Sequence, residues 1–184
     1  MKQKNRLVVS GRTDPNQPIN FTFNGKPYQG LLGDTLASAL LANGVNVVGR
    51  SFKYARPRGI VGHGPEEPNG IIQLGSGSAT VPNLKVTQVE LYEGLDAKSV
   101  NGWPSVNIDV MGLVGVFGRL MPPGFYYKTF MYPKNLWMTY EHFIRKAAGL
   151  GKTPTEADPD TYEKLNRHCD VLVVGAGPAG LMAA

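Results

Sequence analysis

The residues of this chain best suited to chemistry lie in the segment 169–180, which reads CDVLVVGAGPAG. Its glycines stand in the spacing GxGxxG directly after the apolar run VLVV. Glycines in this spacing allow a tight turn, a close approach of the backbone to a pyrophosphate, and close packing of a helix on a strand. The free N–H groups of the helix N-terminus then attract the phosphates. The segment predicts a dinucleotide-binding turn made by Gly175, Ala176, Gly177, Pro178, Ala179 and Gly180.

A strand and a helix must flank such a turn. The continuous apolar run at 171–174 predicts a buried parallel strand, and the helix should begin within the turn. The acidic residue that holds a ribose hydroxyl is expected about 20 positions later, beyond Ala184, so these residues leave FAD, NAD and NADP as alternatives. Because a Rossmann domain needs several strands and helices, we expect the chain to be a fragment that contains only the start of a truncated one.

A second candidate site is a loop with four cations within nine residues, interleaved with two aromatic residues. Arginine suits bidentate phosphate recognition, and lysine contributes a point charge. One hypothesis is that the loop contacts a flavin phosphate or an acidic partner subunit. The alternative is a solvated surface loop with ion pairs. The residues concerned are Arg50, Lys53, Arg56 and Arg58.

The remaining polar residues suggest no catalytic group. The three histidines lack metal-ligand spacing, so we assign no metal. Glu66 and Glu67 adjoin a proline and are interpreted as a solvated turn rather than a carboxylate pair. Cys169 is the single cysteine and has no visible activating partner. It excludes an internal disulfide and any cluster held by several thiolates of this chain alone.

The composition is typical of a globular protein, with 42% hydrophobic and 18% charged residues. The net charge of +5 is accompanied by no nucleic-acid-binding motif, so we expect no nucleic-acid partner. The N-terminus lacks the apolar stretch of a secretory signal, and the longest apolar stretch, 110–118, is too short to span a membrane. We therefore expect a cytoplasmic protein with no membrane partner.

Local signals predict a small mixed domain at residues 1–100. Alternating apolar residues at 19–23 precede Asn24-Gly25, a strong hairpin signal. Asp34 or Thr35 can then cap a helix that ends near Asn43-Gly44.

A long ordered loop rich in glycine and proline should follow this helix, and further strands are predicted at 71–74 and 85–92. Residues 101–168 predict an aromatic wrapping segment that covers the nucleotide domain or another subunit, a helix at 136–148, and a linker with a short helix. Residues 169–184 would begin the dinucleotide-binding domain.

Several segments, in order, resemble the N-terminal region of the alpha subunit of heterotetrameric sarcosine oxidase. Opine oxidases, cyanide-forming glycine oxidases and related amino-acid dehydrogenases share parts of them. The segments are FTFNGKPYQGLLGDTLASALLANGV, VGRSFKYARPRGI, EEPNG, PPGFYYKTFMYP, RKAAGLGKTPTEADPD and CDVLVVGAGPAG.

This resemblance implies a subunit of an enzyme that oxidises sarcosine, a small amine, to glycine and makes hydrogen peroxide. The one-carbon unit would leave as formaldehyde or, with tetrahydrofolate, as methylenetetrahydrofolate. The resemblance places FAD in the beta subunit, FMN near the alpha–beta boundary and NAD at the fingerprint of alpha. It also implies beta, gamma and delta subunits as partners. The 184 residues alone should be inactive.

The first domain also resembles the ferredoxin-like (β-grasp) module that carries a [2Fe-2S] cluster in relatives. In such modules the loop after the helix supplies the thiolates, but the loop at 49–62 contains no cysteine. The resemblance therefore implies an α+β domain without an iron-sulfur cluster, used for structure or docking. Two alternative functions stay open: a non-catalytic ferredoxin-like assembly module, or a subunit of a related opine or amino-acid dehydrogenase.

Overall fold

A computed structural model describes residues 3–7, 12–113, 124 and 132–184 of the chain. Two 3-10 turns, Gly77–Ala79 and Lys134–Leu136, accompany the regular elements. In chain order these are β1 (Asp14–Phe23), β2 (Lys26–Leu32), α1 (Leu36–Ala42), β3 (Gly49–Arg50), β4 (Pro57–Arg58), β5 (Ile71–Leu74), β6 (Val81–Lys85), β7 (Leu95–Ser99), α2 (Trp137–Ala148) and α3 (Pro178–Ala183).

Five strands form one mixed sheet in the order β2-β1-β7-β5-β6. Strand β1 pairs antiparallel with β2 and parallel with β7, with Phe21 opposite Leu95 in the second pairing. Strand β5 pairs antiparallel with β7 and β6, while β3 and β4 make a separate two-stranded ribbon. The predicted mixed α+β architecture of the first domain is confirmed.

The hairpin between β1 and β2 is confirmed at the predicted residues. Asn24 and Gly25 have φ of 52° and 72°, the left-handed conformation that a two-residue turn of this kind needs. The turn is also tied to the central strand β7, because the Asn24 N–H donates to Ala97 O at 2.9 Å and its Oδ1 accepts from the Ser99 N–H at 2.8 Å.

Helix α1 begins after Thr35, one of the two predicted caps. Thr35 and Ser38 form a reciprocal capping box, with Ser38 N–H to Thr35 Oγ1 at 3.2 Å and Thr35 N–H to Ser38 Oγ at 3.0 Å. Asp34 is instead buried, where it accepts from the Leu31 N–H and forms an ion pair with Arg6. It therefore ties the N-terminal segment to the helix start.

The core joins α1 to one side of the sheet. Its buried members come from α1, from the strands β1, β5 and β7, and from the connections α1–β3 and β6–β7, and this cluster holds the domain together. The fully buried aliphatic side chains of the cluster include Leu36, Leu40, Val48, Ile72, Val86 and Leu95.

The predicted strand at 85–92 is wrong. Strand β6 ends at Lys85 and a turn follows. The apolar residues Val86 and Val89 lie in this loop, and their side chains enter the core from it. Their carbonyls accept from the Ala37 and Leu36 N–H groups at 3.0 and 2.8 Å, which satisfies donors that the first turn of α1 leaves unpaired.

Two further helices, α2 and α3, lie between residues 132 and 184. Helix α2 matches the prediction and ends at Gly149, whose φ of 78° is typical of a helix C-terminus. The short helix expected in the linker is absent, since residues 151–168 have no regular structure. Most of the predicted wrapping segment, 114–123 and 125–131, lies outside the described residues. No helix in the described part of the chain is long and apolar enough to cross a membrane.

Candidate functional site

The six residues of the glycine fingerprint form the turn into α3 and the first residues of that helix. Gly175 has φ of 109°, Gly177 is the N-cap of α3, and Pro178 occupies the first helical turn. A Cβ at Gly180 would lie 2.0 Å from the Gly175 carbonyl oxygen, so only glycine allows the helix to pack against the turn. The turn therefore has the geometry that gives the first and third glycines their separate roles.

The strand predicted before this turn is not confirmed. Residues 171–174 pair with no described strand, and Val171 and Val174 are 77% and 86% exposed. A parallel strand depends on hydrogen bonds from a neighbouring strand. Neither of the edge strands, β2 and β6, pairs with this segment in the described part of the chain.

The cationic loop is a short ribbon closed by β3 and β4. Gly49 pairs with Arg58 and Arg50 with Pro57. Ser51 holds the tip, because its N–H donates to Arg56 O and its Oγ accepts from the Arg56 N–H, both at 2.9 Å. The predicted site residues Arg50, Lys53, Arg56 and Arg58 are thus brought onto one small hairpin.

Arg50 binds within the protein itself. Its guanidinium donates to Val106 O at 2.6 Å, Ala55 O at 3.1 Å and Asn107 O at 2.9 Å. Its backbone N–H and carbonyl also pair with the Asn101 side chain, at 2.9 and 2.7 Å. Arg50 therefore fastens the cationic loop to residues 101–107, and all three of its guanidinium nitrogens have partners.

Of the other cations of the loop, Arg56 and Arg58 are exposed and Lys53 is half-buried. The Lys53 ammonium and the Arg56 guanidinium lie 5.0 and 4.8 Å from the centre of the Tyr54 ring, within cation–π range. Arg58 is exposed on β4. The described ion pairs join Arg6 to Asp34, His63 to Glu66, and Arg145 to Glu141, so none of them includes Arg56 or Arg58.

Glu67 organises the segment that follows the cationic loop. Its side chain is completely buried, with one carboxylate oxygen accepting from the Val61 and Gly62 N–H groups and the other from Asn69 and Gly70. The interpretation of Glu66 and Glu67 as a solvated turn is thus wrong for Glu67. Sequence reasoning missed it because its partners are backbone groups on both sides, which no side-chain pattern reveals.

The four donors also control the ionisation of Glu67. Burial by itself would raise the pKa of this carboxyl, but the N–H groups of Gly62, Asn69, Val61 and Gly70 stabilise the charged form and bring the pKa below its ordinary value. Glu66, half-exposed beside His63, also has a lowered pKa, chiefly because it accepts from the His63 and Gly64 N–H groups. Glu67 is therefore a permanent internal anion at neutral pH.

Two adjoining clefts lie beside the cationic loop. The first, of about 490 Å³, has Phe52, Arg58, Asn69 and Asn101 among the residues that line it. The second, of about 300 Å³, shares Phe52 and Asn101 and extends to Trp103 and Phe143. The cationic loop thus borders a concave surface that is polar at one end and aromatic at the other.

Comparison with known proteins first defines the class of the domain. Residues 16–102 match the family described as a 2Fe-2S iron-sulfur cluster binding domain. These residues coincide with the mixed sheet and α1, so the first domain is similar to ferredoxin domains of the 2Fe-2S type.

Curated relatives then identify the chain as a homologue of the sarcosine oxidase alpha subunit. It is 58% identical over 97% of its length to "Sarcosine oxidase subunit alpha" of Rhizobium meliloti (strain 1021). It is 31% and 30% identical, over 96% and 95% of its length, to the subunits of that name from Corynebacterium sp. strains U-96 and P-1. The chain spans 18% of the first relative and 14% of the other two.

A solved structure, L-proline dehydrogenase from P. horikoshii, overlaps 49% of this chain and 16% of its own with 22% identity. The TM-score of 0.35 is too low to bear on fold or function.

The residues of the ferredoxin-like domain do not fit the cluster that its family description implies. A [2Fe-2S] cluster takes four thiolates, or two thiolates and two imidazoles. Residues 16–102 contain no cysteine and one histidine, His63. Cys169 is exposed in the C-terminal segment, and the described residues contain no group of three or more potential metal ligands.

Proposed function

We propose that this chain is part of the alpha subunit of a sarcosine oxidase complex, which converts sarcosine to glycine and hydrogen peroxide, with formaldehyde or methylenetetrahydrofolate as the one-carbon product. The observation that carries the proposal is the 58% identity over nearly the whole chain. The chain spans 18% of that relative, and the contribution that we propose for it is binding and docking. The flavins FAD and FMN and the amine substrate belong to the complex.

The proposed role of the ferredoxin-like domain is subunit docking, without an iron-sulfur cluster. The absence of cysteine from residues 16–102 supports this role. Arg50 and Glu67 give the loops rigidity through bonds to backbone groups, so the surface keeps its shape without a metal. The beta, gamma and delta subunits are the proposed partners. A cytoplasmic location, with neither nucleic acid nor membrane as partner, completes the proposal.

The fingerprint turn contributes the NAD site of the subunit. Its backbone would approach the pyrophosphate at Gly175 to Gly180, and the contact of Gly180 with the Gly175 carbonyl supports a turn that needs glycine at both positions. NAD, when bound, can accept or donate a hydride. This chain's residues would hold the dinucleotide in place.

A second candidate is a non-catalytic ferredoxin-like assembly module. It is favoured by the self-contained five-stranded sheet, which has its own core and binds no residue of the fingerprint turn into that core. A third candidate is a subunit of a related opine or amino-acid dehydrogenase, which would act on a different substrate.

Exchange of the homologous segment tests the leading proposal. We replace that segment of the Rhizobium meliloti alpha subunit by this chain, co-express the chimera with the beta, gamma and delta subunits, and measure sarcosine-dependent peroxide. We expect an assembled, active complex, because the chain is 58% identical to the segment that it replaces. The chimera should also retain NAD, whereas Gly180→Val, which blocks the turn, should lose NAD and keep its partners.

An alpha subunit without the segment is the control and should fail to assemble. A chimera that assembles but oxidises only a different amine would refute the substrate assignment. Normal NAD content in Gly180→Val would refute the nucleotide site.

A further inference from the structure

We propose that the first cleft beside the cationic loop is the docking site for an acidic segment of another subunit of the complex. Carboxylates of that segment would pair with Arg58 and Arg56, and an adjoining apolar side chain would enter the cleft between Phe52 and Asn69. The inference rests on the proposed function, because it names the surface by which the chain joins its partner subunits.

The charge of this surface is positive and uncompensated. None of the described ion pairs includes Arg56 or Arg58, and none of the described residues that line the first cleft is a carboxylate. Asp109 lines the second cleft, and its Oδ1 accepts from the Trp103 and Met111 N–H groups at 3.2 and 3.0 Å. A ligand that complements this surface is therefore anionic, and exposed guanidinium groups pair well with carboxylates.

Apolar side chains next to these cations indicate a macromolecule rather than a small anion. Val61 and Phe143 are 74% and 65% exposed, and Phe52 and Trp103 are also exposed at the edges of the two clefts. A small ligand is usually enclosed on most sides, whereas a protein partner covers an open patch of apolar centre and charged rim. The mixture of aromatic residues and arginine is typical of protein interfaces.

The walls of the first cleft are held before any partner arrives. Glu67 accepts from the Val61 and Asn69 N–H groups at 2.8 and 2.7 Å, which fixes one wall. Asn101 and Arg50 bind each other and fix a second part of the lining. A preformed surface loses little conformational entropy on association, which favours binding. Arg50 shapes the cleft rather than binding the partner, because its guanidinium already donates to three backbone carbonyls.

Charge reversal at Arg58 tests the docking site. The chimeric alpha subunit, with and without Arg58→Glu, is titrated onto immobilised beta, gamma and delta subunits of the Rhizobium meliloti enzyme at low and high salt. We expect about a tenfold loss of affinity at low salt and a smaller loss at high salt, because screening weakens exposed charge pairs. Arg12→Glu is the matched control, since Arg12 is exposed and lines neither cleft.

Each outcome separates the two proposals. If the unmutated chimera does not bind, the proposed function fails. If it binds and Arg58→Glu binds equally well, the docking site is overturned while the proposed function stands. The docking site is also overturned if Arg58→Glu acts only by dissociating a homodimer of the chain, or only by lowering the thermal stability of the isolated subunit.

Discussion

Replacement of Glu67 by glutamine is expected to lower the free energy of unfolding by about 3 kcal/mol. Glutamine has the same shape but one acceptor oxygen. Its amide nitrogen would face two of the four N–H donors that now bind the carboxylate, at Val61 and Gly62 or at Asn69 and Gly70. Two charge-assisted hydrogen bonds are lost and buried donors remain unpaired. Urea denaturation of the two proteins measures the difference.

Glu66→Gln is the matched control for this substitution. Glu66 is the preceding residue of the same type, but its side chain is 53% exposed and water can replace its partners. We expect a much smaller change in the free energy of unfolding than for Glu67→Gln. Equal effects of the two substitutions would show that the buried carboxylate does not organise the segment.

The same carboxylate should make stability depend on pH. Because the pKa of Glu67 is lower in the folded chain than its ordinary value of 4.5, its contribution is complete above about pH 4.5 and is lost as the pH falls towards the folded value. Thermal unfolding from pH 7 to pH 3 should therefore show the wild type losing its advantage over Glu67→Gln below pH 4.5. A constant difference across that range would contradict the lowered pKa.

Replacement of Arg50 by lysine is the second large effect that we expect. The planar guanidinium reaches three backbone carbonyls, at Ala55, Val106 and Asn107, through three separate nitrogens. The donors of a lysine ammonium share one nitrogen, so they cannot reach all three carbonyls. The charge is kept, so the change isolates geometry. We expect a loss of about 2 kcal/mol in the free energy of unfolding and faster amide exchange in residues 101–107.

Arg58→Lys is the control for Arg50→Lys. Arg58 lies on the same ribbon but is exposed, so its replacement should leave the free energy of unfolding within about 0.5 kcal/mol of the wild type. If both substitutions destabilise the chain equally, Arg50 has no special role in fastening the loop.

Elements with strong local signals could be predicted from the sequence. The turn at Asn24-Gly25 and the cap at Thr35 depend on neighbouring residues, and the structure confirms both. Helix α2 was predicted at residues 136–148 and is found at Trp137–Ala148. Gly149 marks its end in both.

Features that depend on distant partners could not be predicted. Strand β7 was missed although it lies at the centre of the sheet, since LDAKS is short and half polar. The apolar loop residues Val86 and Val89 led to the wrong prediction of a strand. Their side chains pack in the core and their carbonyls accept from N–H groups of α1, and neither role is visible in the local sequence. In the candidate site, four cations were grouped correctly on one loop, but the internal role of Arg50 depends on carbonyls more than 50 positions away.

The central claim is that this ferredoxin-like domain keeps its fold without an iron-sulfur cluster, with Glu67 and Arg50 holding the loops beside the docking cleft. Iron and acid-labile sulfide in the full chain, purified without oxygen and shown to unfold cooperatively, test this claim most directly. We predict neither iron nor sulfide in stoichiometric amount, and unfolding that a chelator does not change. About two irons and two sulfides per folded chain, lost together with the fold on chelation, would contradict it.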